Sequence, residues 1–195
     1  MRNLLTVYLV VFVAATLAAF GNHAVAGEWT TFFNGKNIKG WEKKGGDATY
    51  KVEDGCLVGT TKPNTPNTFL CPPKTYGNFE LTFEVQCDEA LNSGVQIRSI
   101  SDADEVPTGL SEADAVKAKK KADGKSLFGP QVEIAANGNA AAVWFEGVGG
   151  WLLEPKTEVT NKVYKKDGWN SYRVLAQGEH IQVWLNGTKI SDGKD

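Results

Sequence analysis

Gly129-Pro130-Gln131-Val132-Glu133-Ile134 is the stretch around which the rest of the chain is organised. Polar and apolar residues alternate in it, as they do in a strand with one buried face. Val132 and Ile134 are predicted to face the core. Gln131 and Glu133 are predicted to share the opposite face, which makes them candidates for a polar site.

A second stretch, Asn92-Ser93-Gly94-Val95-Gln96-Ile97-Arg98, has the same design. Its alternation predicts that Gln96 and Arg98 lie on the polar face. Two strands of this kind predict a hydrogen-bonding sheet surface that suits a sugar better than a flat apolar ligand. The alternative is ordinary solvent exposure, because antiparallel sheets often have one wet face.

The beginning of the chain has the pattern of a secretory signal. Arg2 is followed by an apolar run over residues 4–20 and by Ala24-Val25-Ala26, a small-x-small cleavage motif. This predicts a signal peptide over residues 1–26, cleavage near Ala26 and a secreted or periplasmic protein. An uncleaved membrane anchor is the alternative. Residues 1–26 are expected not to be part of the fold. The mature chain, residues 27–195, is expected to form one domain with no membrane association after cleavage.

Composition excludes some classes of function. The net charge of −2 over 195 residues gives no electrostatic case for a nucleic-acid partner. Cys56, Cys71 and Cys87 fit either one disulfide with one thiol or three buried thiols, and the sequence does not decide. No cluster has zinc-ligand spacing, and His180 is expected to be exposed.

Strand patterns dominate the remainder of the chain. Residues 79–87 show the clearest period-two alternation, and Asp54-Gly55 and Asn186-Gly187 are hairpin turn signals. A capping-box pattern at residues 111–114 predicts one short helix in a surface insertion. The predicted fold class is therefore all-β, a sandwich or jelly roll of antiparallel sheets.

Charged and aromatic residues on these strands are the candidates for chemistry. Glu133 and Glu146 could act as an acid and a base, with Arg98 as the cation. Trp144 and Trp151 are candidates for stacking on a sugar ring. About half of the tryptophans in the second half of the chain are expected to be core residues instead.

Several segments together resemble the 3-keto-disaccharide hydrolase family, also described as 3-keto-glucoside 1,2-lyase and 3-keto-2-hydroxy-glucal hydratase. The matching segments, in the family's order, are FFNGKNIKGW (32–41), YKVEDGCLVG (50–59), YGNFELTFEV (76–85), NSGVQIR (92–98), GPQVEI (129–134), DGWNSYRV (167–174) and IQVWLNGTKI (181–190). The resemblance implies a concanavalin A-like jelly roll. It also implies an exported bacterial enzyme that acts on 3-keto-glycosides.

The resemblance implies β-elimination followed by hydration, which amounts to hydrolysis of the glycosidic bond. Glu133 is the expected base or metal ligand, and Arg98 the expected clamp on the enolate or substrate. Glu146 is the third expected catalytic residue. The residues expected to bind the substrate are Asn92, Gln131 and Gln96, with Trp144 and Trp151 as the sugar platform. No cofactor is evident, and a divalent metal on Glu133 is compatible with the chemistry.

The chain departs from the family pattern at two places. Gly150 stands where an arginine is expected in the glycine-rich loop of residues 147–151. The sequence ends at Asp195, before an expected Gln-x-His segment and closing strand, so the domain is expected to lack its last strand. The alternative function is a non-catalytic carbohydrate-binding module of the concanavalin or laminin-G-like type, since a fold does not fix a function.

Overall fold

The structure, a computed structural model, describes residues 6–14, 29–102, 111–113, 115–116 and 123–195, with the backbone alone for residues 6–14, 102 and 123. In this part of the chain, antiparallel strands form two larger sheets and one small sheet. The predicted all-β jelly-roll sandwich is confirmed. The described residues contain no helix long and apolar enough to cross a membrane.

The larger sheet has the strand order β15-β14-β13-β7-β1-β5-β4, and the short β2 pairs with β1. Its strands are β1 (Thr6–Ala14), β2 (Trp29–Thr30), β4 (Thr49–Glu53), β5 (Cys56–Thr60), β7 (Phe79–Cys87), β13 (Asn170–Gln177), β14 (His180–Leu185) and β15 (Thr188–Lys194). The turns at Asp54-Gly55 and Asn186-Gly187 all have positive φ, as the predicted hairpins require.

The second sheet has the order β12-β11-β10-β8, and β9 also pairs with β10. Its strands are β8 (Asn92–Gln96), β9 (Ile100–Asp102), β10 (Asp123–Ala135), β11 (Val143–Glu146) and β12 (Trp151–Leu153). A two-stranded sheet joins β3 (Glu42–Gly45) to β6 (Thr68–Cys71). Both stretches singled out in the sequence therefore lie side by side, as β8 and β10 of one sheet.

The core lies between the two larger sheets, where their apolar faces meet. Every second residue of β7 is buried, including Phe83, which stacks on Tyr172 with ring centroids 4.9 Å apart. Val132 and Ile134 of β10 are buried in the same core, with at most 2% of their surface exposed. The predicted alternation is confirmed, and it leaves Gln131 and Glu133 on the other face.

The amino-terminal segment corrects one expectation. Residues 1–26 were predicted to lie outside the fold, but Thr6–Ala14 forms β1 between β7 and β5. The physical reason is that a run rich in Val and aromatic residues has strand propensity as well as the hydrophobicity of a leader. The predicted cleavage near Ala26 stays a prediction.

Helices are short in this fold. The one predicted at residues 111–122 is helical at residues 112–113 and 115–116, Ser111 precedes it, and residues 114 and 117–122 lie outside the described part. The other helix lies further along the chain, at Thr157–Val163, and is labelled α1. It was not predicted, because its sequence TEVTNKV carries little apolar periodicity. Cys56, Cys71 and Cys87 are all unbridged thiols, and Cys87 is buried against the Tyr164 hydroxyl.

Candidate functional site

A polar cleft of about 420 Å³ lies over the face of the second sheet that points away from the core. Strands β8, β10, β11 and β12 contribute one part of its lining, and the segment from Gly59 to Phe69 contributes another. The residues that the site argument uses are Tyr50, Lys62, Asn67, Asn92, Gly94, Gln131, Glu133, Trp144, Glu146 and Trp151.

Glu133 is the buried carboxylate of this cleft, with 4% of its surface exposed. The Gln131 amide donates a 2.7 Å hydrogen bond to Oε1, and the Asn92 amide donates a 3.3 Å hydrogen bond to Oε2. The antiparallel register explains this convergence, since Glu133 lies opposite Gly94, two residues from Asn92. Both carboxylate oxygens are thereby held in one orientation.

Burial raises the pKa of Glu133 above its usual range. The hydrogen bonds from Gln131 and Asn92 lower the pKa and oppose this effect, and the charge of Glu146 raises it further. A carboxyl group with a raised pKa and a fixed orientation has the properties of a general base that operates near neutral pH.

Gly94 provides the room that Gln131 needs. A Cβ at residue 94 would lie 2.5 Å from Cγ of Gln131 and 2.9 Å from the Val132 carbonyl oxygen, closer than atoms can approach. The glycine on β8 is therefore required for the side chain of Gln131 to lie flat across the strand and reach Glu133.

Replacing Gly94 with alanine is expected to displace Gln131 and to lower the free energy of unfolding by about 1–3 kcal/mol, as overpacking does. Thermal unfolding measures the change in stability. Gly77→Ala is the matched control, because a Cβ at Gly77 meets no atom within 4 Å. Equal stability of the two variants would contradict the proposed packing.

The segment after β5 brings residues to the cleft that the sequence identified only as loop. Asn67 donates a 3.3 Å hydrogen bond to Oε1 of Glu146, and Lys62 forms a 3.1 Å ion pair with Asp47. Both therefore place polar groups beside the sheet surface. The only sequence signal for them was a polar Pro/Asn/Thr composition, which specifies no position.

Tyr50 was also missed by the sequence. Its hydroxyl donates a 2.9 Å hydrogen bond to the Thr68 carbonyl oxygen, which joins β4 to β6 at the cleft. Burial raises the pKa of Tyr50 to about 12, so its phenol stays protonated at neutral pH. Its place on a period-two strand gave no reason to separate it from core residues.

Trp144 and Trp151 both line the cleft, and their rings meet edge to face with centroids 5.1 Å apart. Neither is fully buried, nor are Trp169 and Trp184. The expectation that about half of these tryptophans are core residues is therefore wrong. Trp184 lies outside the cleft lining, beneath the guanidinium of Arg173, which is 4.1 Å from the ring centroid.

Arg98 is not brought to Glu133. β8 ends at Gln96, and Arg98 has a φ of 49°, so the alternation that predicted a shared polar face stops before it. Its guanidinium donates to the Gly77 carbonyl oxygen and to the Asn78 side chain, and it lies 3.9 Å from an oxygen of Asp195. The predicted pairing of Arg98 with Glu133 is corrected on this ground.

Gln96 supports the cleft but lines a second cavity of about 550 Å³ beside it. Its amide donates a 2.9 Å hydrogen bond to Oε1 of Gln131. The sequence predicted that Gln96 contacts the substrate, whereas in the structure Gln131 lies between Gln96 and Glu133. Among the described residues, no three His, Cys, Asp or Glu side chains cluster closely enough to hold a metal ion.

Comparison with known families identifies this chain over most of its length. Residues 28–195 match the family model described as 3-keto-alpha-glucoside-1,2-lyase-like domain. A comparison with curated proteins finds no significant match. The match spans every strand that contributes to the cleft.

Proposed function

Because the chain belongs to the 3-keto-alpha-glucoside-1,2-lyase-like domain family, we propose that it cleaves 3-keto-glycosides by β-elimination followed by hydration. The family points to a lyase-like, carbohydrate-active enzyme. The observation that supports the finer proposal is the buried Glu133 carboxylate, oriented by Gln131 and Asn92 in a polar cleft.

The chemistry begins at C2 of the sugar, whose proton is acidified by the ketone at C3. Glu133 takes this proton, and the electron pair forms an enediolate. The bond from C1 to the leaving oxygen then breaks, and that oxygen takes up a proton. Water adds to the resulting double bond, with hydroxide at C1 and a proton at C2, which gives the 3-keto sugar and the released alcohol.

The enediolate requires a cation or hydrogen-bond donor beside it. We assign this role to Lys62, the cation that lines the cleft, in place of the predicted Arg98. The substrate oxygen would compete with Asp47 for the ammonium group. Glu146 on β11, held by Asn67, is assigned the proton donation to the leaving oxygen, for which its carboxylate first takes up a proton from solvent.

Trp151 is proposed to form the sugar platform together with Trp144. Trp151→Ala is expected to raise KM about two- to twelvefold, because stacking on an aromatic ring is worth about 0.5–1.5 kcal/mol, with kcat changed only a few-fold. Steady-state kinetics on a 3-keto-glucoside measures both constants. Trp184→Ala, outside the cleft lining, is the matched control; an equal rise of KM in both variants would contradict the platform.

A carbohydrate-binding module is the second candidate, supported by the paired tryptophans in the cleft. Incubation with a 3-keto-glucoside separates the two functions. The enzyme releases the alcohol and the 2-hydroxy-glucal or its hydration product. Measurable sugar binding without any release would favour the module and overturn the proposed activity.

We also propose export, on the basis of the leader-like sequence of residues 1–26. The expected location is the periplasm or the medium, where glycosides are encountered as substrates. Fractionation of a producing cell, with detection of the chain in each fraction, tests the proposal. Retention in the cytoplasmic fraction would overturn it.

A further inference from the structure

A line of hydrogen bonds runs from Glu133 across β10 and β8 to Ser99. Gln131 donates to Glu133, Gln96 donates to Gln131 at 2.9 Å, and the Ser99 hydroxyl donates to Oε1 of Gln96 at 2.6 Å. The register that pairs Gln131 with Gln96 makes this line continuous. Ser99 is half-buried at its end, beyond the last residue of β8.

The direction of these bonds follows from the charge of Glu133. An ionised carboxylate only accepts hydrogen bonds, so Gln131 must present its amide nitrogen to Glu133 and its oxygen to Gln96. Gln96 must then present its nitrogen to Gln131 and its oxygen to Ser99. Only a donor fits at the last position, and the Ser99 hydroxyl is that donor.

The same line has a second consistent arrangement. When Glu133 carries a proton, it can donate to Gln131, and both amides can turn over so that each donates away from Glu133. The Ser99 hydroxyl then accepts from Gln96 and needs another acceptor. The Ile97 carbonyl oxygen lies 3.2 Å from the hydroxyl oxygen of Ser99 and provides it.

We propose that Ser99 is a positioning residue that acts on Glu133 through Gln96 and Gln131. Its hydroxyl oxygen lies 2.6 Å from Oε1 of Gln96 and 3.2 Å from the Ile97 carbonyl oxygen, and the shorter contact favours the amide arrangement in which a donor faces the ionised carboxylate. It thereby favours the basic form of Glu133 without touching the substrate. The part of this proposal that concerns turnover rests on the proposed function, whereas the part that concerns the titration of Glu133 does not.

The other groups that face Glu133 act in both directions. Glu146 on β11 adds a negative charge that raises the pKa of Glu133, and the charge of Glu133 in turn raises the pKa of the buried Tyr172 phenol on β13. Asn92 on β8 donates to the remaining oxygen. The amide line from Ser99 is therefore one of two donors that hold the buried carboxylate in its charged form.

Carboxyl-carbon NMR titration of Glu133 in the full chain tests the proposal. Ser99→Ala and Gln96→Leu are each expected to raise the pKa of Glu133 by about 0.5 to 1, because the facing amide loses its fixed direction. Ser99→Thr keeps the hydroxyl and is expected to restore the original value. Ser171→Ala, an exposed serine on β13, is the matched control.

The acid limb of the kcat/KM profile should move in the same direction as the NMR titration. If the pKa of Glu133 is unchanged in both Ser99→Ala and Gln96→Leu, the proposed role of Ser99 is overturned. If the titration of Glu133 shifts in the variants, and neither they nor the unsubstituted chain turn over a 3-keto-glucoside, the role of Ser99 is supported and the proposed function is overturned.

Discussion

Replacing Glu133 with glutamine is expected to lower kcat on a 3-keto-glucoside by about 10²–10⁴-fold, the range that a general base contributes. Glutamine has the shape of glutamate but accepts no proton from C2 at neutral pH. Because substrate contacts in the cleft are otherwise kept, KM is expected to change much less. Initial rates of alcohol release at saturating substrate give the comparison.

The control for this variant is Glu84→Gln, which removes an exposed carboxylate on β7, in the larger sheet and outside the cleft lining. Far-UV circular dichroism and thermal unfolding confirm that both variants are folded. Full turnover by Glu133→Gln would remove Glu133 from the mechanism. It would also remove the reason for assigning any role to Gln131 and Asn92.

Deletion of residues 1–26 is expected to abolish the cooperative unfolding transition of the chain. β1 pairs through eight residues with β7 and through four with β5, so its loss opens the larger sheet in the middle. At about 0.5–1.5 kcal/mol net for each ladder hydrogen bond, the loss approaches the whole stability of a typical domain, about 5–15 kcal/mol. Thermal unfolding followed by circular dichroism measures it.

Deletion of residues 1–5 is the matched control, since it leaves β1 intact. This truncated chain is expected to unfold like the full chain. A chain that begins at Gly27 and unfolds at the temperature of the full chain would show that β1 is dispensable. Cleavage near Ala26 and a sheet completed by β1 exclude each other in one molecule, so the mass of the exported protein decides between them.

The strands and turns were predictable because their signals are local. Every second residue of β7 is apolar over its nine residues. The two hairpins carry Asp-Gly and Asn-Gly, residue pairs that are typical of tight hairpin turns. The amino-terminal segment was not predictable in the same way. Apolar, β-branched residues satisfy a signal peptide and a central strand equally well, and only pairing with β5 and β7 distinguishes them.

The half of the site built on strands was also predictable. Gln131 and Glu133 follow from alternation on β10, and Asn92 follows from the neighbouring strand with which β10 pairs. The prediction for Arg98 was wrong because the positive φ of this residue ends the alternation, and the local sequence gives no signal of that change. Lys62 reaches the cleft through the path of a loop, which no periodicity encodes.

Deuterium incorporation at C2 tests the central claim, that Glu133 removes the C2 proton, most directly. The unsubstituted chain and Glu133→Gln are incubated with methyl 3-keto-glucoside in D₂O, beside a sample without protein that measures spontaneous exchange. NMR of the products is expected to show rapid formation of 3-keto-glucose with deuterium at C2 for the unsubstituted chain alone. Glycosidic cleavage with the C2 proton retained, or equal deuterium incorporation by Glu133→Gln, would contradict the mechanism.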